Sequence, residues 1–368
     1  MFRKLGFFNW FWFILNAGLA LLLFASYFAV YVNPNTFWPM AFIGLAYPFL
    51  LIANILFIIF WALKLHRFTL MSVIIILLGW KTHKKVVSFD FSDTNAMEEK
   101  SQNAIRIMTY NAHFFQPFTG DYDAAFKREM LQVIYTQKPD ILCMQEFYTR
   151  YNGEFNILDS IVKKLKYKYY YFDKSISTTY SQQGVIIFSK YPIKDKGSIL
   201  FNSEKSSNRA IYVDIKIEDQ MIRLFDIHLQ SISFQPEDYK YLKGLKKDLE
   251  IDEQSTRNIG FRLKRAFKKR SVQAQQVADA IAKSPYPVLL CGDFNDTPMS
   301  YAYYTIADNL KNTFQEKGKG YARTYAGAFP NFQIDYIMCS KDFEVLNHQV
   351  IKKELSDHFP VRSDVLLH

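Results

Sequence analysis

Acidic residues are missing from the first 85 positions, which nonetheless carry seven Lys and Arg (Arg3, Lys4, Lys64, Arg67, Lys81, Lys84 and Lys85). That absence removes most of the +10 net charge from the rest of the chain, where 38 basic residues face 35 acidic ones. A face that grips a polyphosphate backbone needs a basic stripe, and so even a balance argues against one. The surplus sits beside the most apolar stretch, the pattern of a membrane flank. Cysteine is also scarce. Cys143, Cys291 and Cys339 each lie in an apolar run, which excludes an even-numbered disulfide framework and reads as three core thiols. They leave the compartment open. No internal repeat is present, and no motif sets a Cys or Ser nucleophile beside a base.

Charge is absent as well from residues 7–32 and 37–63. A helix needs about 20 residues to cross the hydrocarbon core, so both are candidate crossings, with Trp10, Trp12, Trp38 and Trp61 as interfacial anchors. A signal sequence has an apolar region of only about 7–15 residues, shorter than the first run. A third apolar stretch, residues 68–80, would cover about 20 Å as a helix. It crosses only if Arg67 and Lys81 snorkel, and otherwise lies in the interface. Two crossings leave the remainder on the side of the N-terminus, and three place it opposite. Arg3, Lys4, Lys64 and Arg67 favour a cytoplasmic end, while Lys81, Lys84 and Lys85 pull the other way, so the side stays open. The expectation is an integral protein of the cell (inner) membrane. Residues 1–85 are its anchor and contribute no site residue, residues 86–103 form a polar linker, and residues 104–368 form the remaining, folded domain.

From residue 105 short apolar runs alternate with helical patterns. Strands are expected over 105–115, 140–147, 168–172, 184–191, 210–217, 221–229, 287–295, 333–340, 345–352 and 361–367. Helices are expected over 122–137, 156–165, 252–283 and 300–308. Many strands with few helices between them predict an α+β sandwich, two packed, mostly antiparallel sheets flanked by helices. The Lys- and Arg-rich segment 243–270 reads as the solvated face of a long helix, or as a surface for anionic lipid or phosphate.

Five stretches run from apolar into polar residues: "IRIMTYNAHFF", "DILCMQEF", "RLFDIHLQS", "LLCGDFNDTP" and "QIDYIMCS" followed by "LSDHFPV". Asp293 and Asn295 are two apart, so on an extended chain they face one side. If the strand ends converge, their carboxylates, amides and imidazoles suit a hard divalent cation, Mg²⁺ or Mn²⁺, and a phosphate ester. Glu146 can then hold the metal, and Asp293 can orient or deprotonate water. Asn111, Asn295, His228 and His358 can donate to phosphate oxygens, with Asp335 keeping His358 oriented and protonated.

These five ordered motifs resemble the endonuclease/exonuclease/phosphatase superfamily, whose fold is that of deoxyribonuclease I, over about residues 104–368. The resemblance implies a four-layer α/β sandwich and a metal-dependent phosphoesterase. It implies Glu146 as principal metal ligand, Asn111 supporting metal or phosphate, Asp357 on the metal side and His358 on the phosphate. It further implies Asp293 on the attacking water, Asn295 on the phosphate, Asp335 paired with His358, and His228 as phosphate ligand or general acid. Nucleases that act at abasic sites carry an Asp two residues after the first Asn, where this chain has His113. A phosphate contact by His113, and another by Arg209, complete the expected site.

The substrate is thus expected to be a phosphate ester, whether lipid headgroup, inositol phosphate or nucleic acid, acted on by a protein whose other partner is a lipid bilayer. Two alternatives are a nuclease and a catalytically inactive membrane scaffold. The second would have lost a catalytic group, and none of Glu146, Asp293, Asn295, Asp335 and His358 is lost.

Overall fold

In chain order the helices are α1 Phe7–Ser26, α2 Pro39–Leu45, α3 Tyr47–Leu63, α4 Thr69–Leu78, α5 Trp80–Val86, α6 Ala124–Gln137, α7 Ile157–Leu165, α8 Pro236–Asp248, α9 Glu253–Ala282, α10 Tyr301–Ile306 and α11 Thr313–Lys317. The strands are β1 Val87–Ser88, β2 Ile105–Asn111, β3 Ile141–Arg150, β4 Tyr169–Ser177, β5 Ser181–Ser189, β6 Ile193–Leu200, β7 Arg209–Ile217, β8 Gln220–His228, β9 Val288–Asp293, β10 Lys311–Asn312, β11 Gly320–Tyr321, β12 Asp335–Cys339, β13 Phe343–Val350 and β14 Val361–Leu367. The computed structural model describes residues 6–88, 100–101, 103–117, 123–201, 206–248, 252–327 and 332–368.

Two six-stranded sheets carry the C-terminal part of the chain, ordered β13-β14-β2-β3-β5-β4 and β10-β12-β9-β8-β7-β6. Each has one parallel pair at its centre, β2 with β3 and β8 with β9, and is otherwise antiparallel. Strand alternation sorts the side chains. Ile105, Ile107, Ile141 and Cys143 face Ile222, Leu224, Leu289, Cys291 and Ile337 in the core between the sheets. The opposite faces meet helices. Met108, Leu142 and Met144 pack on Met130 and Ile134 of α6 and on Ile157 and Ile161 of α7. Phe225, Ile227 and Leu290 pack on Ala274 and Val277 of α9 and on Ala302 and Ile306 of α10. The result is the expected α+β sandwich, four layers deep.

Several elements differ from expectation. β6 was not anticipated because it is an edge strand with alternate residues solvated and little apolar content. α8 was likewise not among the expected helices. The first strand stops at Asn111, where His113, Phe114 and Phe115 turn with φ of 43°, 56° and 57°. β1 pairs with β11, so the segment read as linker joins the C-terminal part at once. Residues 89–99 and 102 of that segment, and residue 122 of the expected first helix, lie outside the described residues.

At the N-terminal end, contacts fix the direction of each helix. Along α1, Asn9 meets Lys64, Trp12 meets Phe57 and Phe60, and Asn54 reaches Leu19, so α3 runs antiparallel. Phe13 meets Phe68, Asn16 bonds Ser72, and Tyr27 meets Ile75 and His83, so α4 and α5 run parallel to α1. Asn16, Asn54, Trp61 and Ser72 satisfy one another in the middle of this three-helix unit. Residues Phe7–Tyr31 form one helix long and apolar enough to cross a membrane, and Pro39–Leu45 with Tyr47–Leu63, bent by 58°, count as a second if taken together.

The unit rests on the C-terminal part. Phe42 packs 5.3 Å from Phe267, Lys264 lies 4.5 Å over Trp38, and Asn35 bonds Ser271, all on α9. A Cβ at Gly44 would come within 2.6 Å of the Met299 carbonyl oxygen, so only glycine permits this approach.

Candidate active site

The apolar layer between the sheets turns polar at one end. On β2 the inward residues run Ile105, Ile107, Thr109, Asn111. On β8 they run Ile222, Leu224, Asp226, His228. On β9 they run Leu289, Cys291, Asp293, and β12 contributes Asp335. Register places Asp293 beside both His228 and Asp335. The buried strands therefore end in polar groups at a common rim, which opens into a cavity of about 270 Å³.

Local backbone devices aim the groups. Gly292, at φ 135°, lies so near Ile227 that a Cβ would strike its carbonyl, which brings the next residue close to β8. Asn295 does not follow Asp293 on an extended strand. At φ 52° it turns back, its N–H donating to Asp293 Oδ1 at 2.7 Å and its amide to Asp293 Oδ2 at 3.1 Å. Glu146 does not close its strand either. The register of β3 against β5 slips between Met144 and Phe147, and Glu146 sits in that bulge at φ 49° while β3 continues to Arg150.

The structure brings together Asn111, His113, Glu146, Asp293, Asn295, Asp357 and His358, all of which line the cavity. The Asn111 amide donates to Asp293 Oδ2 at 3.0 Å. His228 Nε2 lies 3.7 Å from Glu146 and 3.8 Å from Asp293, and His358 Nε2 lies 3.7 Å from Asp293. Asp335 holds His358 Nδ1 from behind at 3.0 Å. Arg209 is placed otherwise. Its guanidinium is buried against Asp173 at 2.9 Å and the Ser206 carbonyl, and it does not line the cavity, so the expected reach to phosphate gives way to an ion pair between the sheets.

The two imidazoles are driven apart. Burial lowers the pKa of His358, but the carboxylates of Asp335, Asp293 and Asp357 outweigh it and hold the ring protonated well above the ordinary range. Burial lowers that of His228, which Asp293 only partly offsets. Neutral His228 donates Nδ1–H to the Ser207 carbonyl at 3.1 Å, leaving Nε2 as a buried acceptor without a hydrogen-bond partner among the described residues.

Glu146 is pushed up to about 8, by burial first and then by Asp357 and Asp293. Burial and Asp335 also raise Asp293, against the two histidines. His358 offsets this crowding only in part, and a divalent cation would supply further counter-charge. The oxygen-rich set of Glu146, Asp357 and Asn111 fits such an ion. Asp293, Asp335 and His358 also have ligand atoms within 4.8 Å of one another. There, however, the protonated His358 already pairs with both carboxylates, so this group reads as a proton-holding dyad beside an acid.

Other side chains at the site escaped the sequence reading. Gln145 bonds Thr109 at 3.0 Å and the buried Asp226 at 2.5 Å beneath the floor. Both occupy inward positions, so alternation could have found them. Arg270, in the basic run of α9, is buried against Asp296 at 2.9 Å. Tyr239, pushed up to about 12 by burial and then by Asp357 and Glu146, lines the cavity. So does Leu45, from the segment expected to contribute nothing.

Residues 108–358 match the family described as endonuclease/exonuclease/phosphatase, and residues 8–86 match a domain of unknown function (DUF8431). No curated protein sequence matches the chain. Among solved structures it is similar to an endonuclease/exonuclease/phosphatase from Beutenbergia cavernae DSM 12333, at 17% identity, TM-score 0.50, over 72% of each chain. It is also similar to the human Nocturnin catalytic domain with bound sulfate, at 16% identity and TM-score 0.50, over 73% of this chain and 97% of that one. A third is D. rerio TDP2 complexed with a single strand DNA product, at 13% identity and TM-score 0.50, over 71% and 98%. At these identities the solved structures speak for the fold alone, whereas the family match spans most of the sequence. The chain belongs to the endonuclease/exonuclease/phosphatase family.

Proposed function

We propose that the chain is a membrane-anchored, divalent-metal-dependent hydrolase of phosphoric esters, with Mg²⁺ or Mn²⁺ as its ion. The observation that carries this reading is the meeting of Glu146, His228, Asp293 and His358, from four separate segments, at contacts of 3.7–3.8 Å. Glu146, Asp357 and Asn111 would hold the ion, which supplies counter-charge to the phosphoryl oxygens. Asp293, fixed by the backbone and amide of Asn295, orients the attacking water and takes its proton. His228 accepts a hydrogen bond at Nε2. His358, kept cationic by Asp335, donates to a phosphoryl oxygen as charge develops. Water adds to phosphorus, the P–O ester bond breaks, and the departing alkoxide takes up a proton.

The anchor reading rests on the directions of α1, α3 and α4–α5, which would make three passes, and on the side chains they turn outward. Leu21, Ile52, Leu56 and Leu77 are each more than half exposed, an apolar belt that suits hydrocarbon. Helix α5 continues α4 past Gly79, so the third pass reaches about 27 Å over residues 69–86.

Hydrolysis of bis(4-nitrophenyl) phosphate by the full-length protein tests the reading. Glu146→Gln and Asp293→Asn are each expected to lower kcat/KM by about a hundredfold or more. EDTA should abolish the parent rate and Mg²⁺ restore it. One equal, metal-independent rate in all three proteins removes the proposal.

A further inference from the structure

The cavity is not polar all round. Besides Glu146, Asp293 and His358, it is lined by Leu45, Ile232, Phe234, Leu263 and Phe267, which belong to one apolar cluster. Leu263 and Phe267 lie one turn apart on α9 and receive α2, whose Phe42 packs on Phe267 and whose last residue is Leu45. Leu45, Ile232 and Phe234 are only half-buried, so part of their apolar surface faces the cavity.

An inositol phosphate carries hydrogen-bonding groups on every side, and burying them against five apolar side chains leaves them unmatched. An amphiphile has one end for each kind of lining. The apolar wall also leads outward: α2 turns through 58° into α3, whose Phe49 and Ile52 are more than half exposed and begin the apolar belt. Beside it, α9 presents the exposed Arg257 and Arg265, with Lys264 over Trp38, and such a basic flank attracts anionic headgroups.

Resting on the phosphoesterase reading above, we propose that the substrate is a lipid phosphoester. Its phosphate lies among Glu146, Asp293 and His358, and its apolar chain lies against Leu45, Phe234 and Phe267. It comes from the bilayer along α2, so the membrane segment is part of the substrate-binding site.

The test uses full-length protein in nanodiscs with 4-nitrophenyl n-alkyl phosphates carrying methyl, butyl, octyl and dodecyl groups. In the parent, kcat/KM should rise at least a hundredfold from methyl to dodecyl. Leu45→Asp should cut that dodecyl-to-methyl ratio at least tenfold, and the milder Leu45→Ala about threefold. Partition into the disc is the same for every variant, so the change in ratio reads the wall alone. Inhibition by dodecylphosphonate against methylphosphonate provides a second measure in the parent and in Leu45→Ala. A flat chain-length series, a ratio unmoved in both variants, or faster cleavage of a single-stranded oligonucleotide than of the dodecyl ester would overturn the proposal. Absence of Mg²⁺-dependent hydrolysis at every chain length would instead overturn the phosphoesterase reading beneath it.

Discussion

Asp335 touches His358 with both carboxylate oxygens, at 3.0 and 3.1 Å. Because burial alone would lower the pKa of His358 and the surrounding carboxylates raise it, the cationic ring depends on its neighbours. A raised folded value means the charge-assisted pair is intact below the ordinary histidine range and is lost as pH rises through the higher folded value. Asp335→Asn should therefore move the alkaline limb of kcat/KM at least one pH unit lower and reduce kcat by about ten- to a hundredfold. Overlapping pH–rate limbs for parent and variant would leave Asp335 a packing role only. At this scale much was legible. Asn111 and Asp293 close, and Asp335 opens, inward-facing runs that strand periodicity displays, and Gln145 and Asp226 obey the same rule. The partner of Arg209 was not legible, since Asp173 stands 36 residues away and nothing local links them. Nor was Leu45, whose role depends on where a whole helix lies.

Element boundaries were harder to read, for physical reasons. β3 keeps its ladder on both sides of the slip at Glu146, and one inserted residue changes no composition, so the bulge leaves no mark in the apolar pattern. β6 has one pairing neighbour and a solvated face, hence no run of buried residues to reveal it. α11 is five residues long, and its place is fixed by tertiary contact: Thr313 meets His348 of β13 at 2.8 Å and Ser363 of β14 at 2.8 Å. His348 is buried, which pushes its pKa down to about 3. A lowered folded value favours the neutral ring, so this stability is complete above about 6.5 and is lost as pH falls toward 3. His348→Gln is expected to lower Tm by a few degrees at pH 8 yet flatten its decline between pH 6.5 and 4. Parallel acid limbs in a Tm-against-pH series would show that His348 does not govern that transition.

For the whole molecule, hydropathy marked the apolar segments but could not set the number of passes, because the third run is short by itself. The contacts Phe13–Phe68, Asn16–Ser72 and Tyr27–His83 run that stretch parallel to α1, as the proposed three passes require. They place the Lys64–Arg67 turn and the catalytic half at opposite ends of the bundle. Leu65→Cys and Asp219→Cys, both at exposed positions, should react with an impermeant maleimide from opposite faces of sealed vesicles. The native thiols are buried and add little background. Labelling of both from the same face would refute three passes. The seating of α2 on α9 carries a last consequence. A chain trimmed to begin at Ala104 forfeits the cover over Leu263 and Phe267, leaving an oily seam open beside the reaction chamber. Such a trimmed protein would clump through that seam, because the N-terminal helices also finish its masonry.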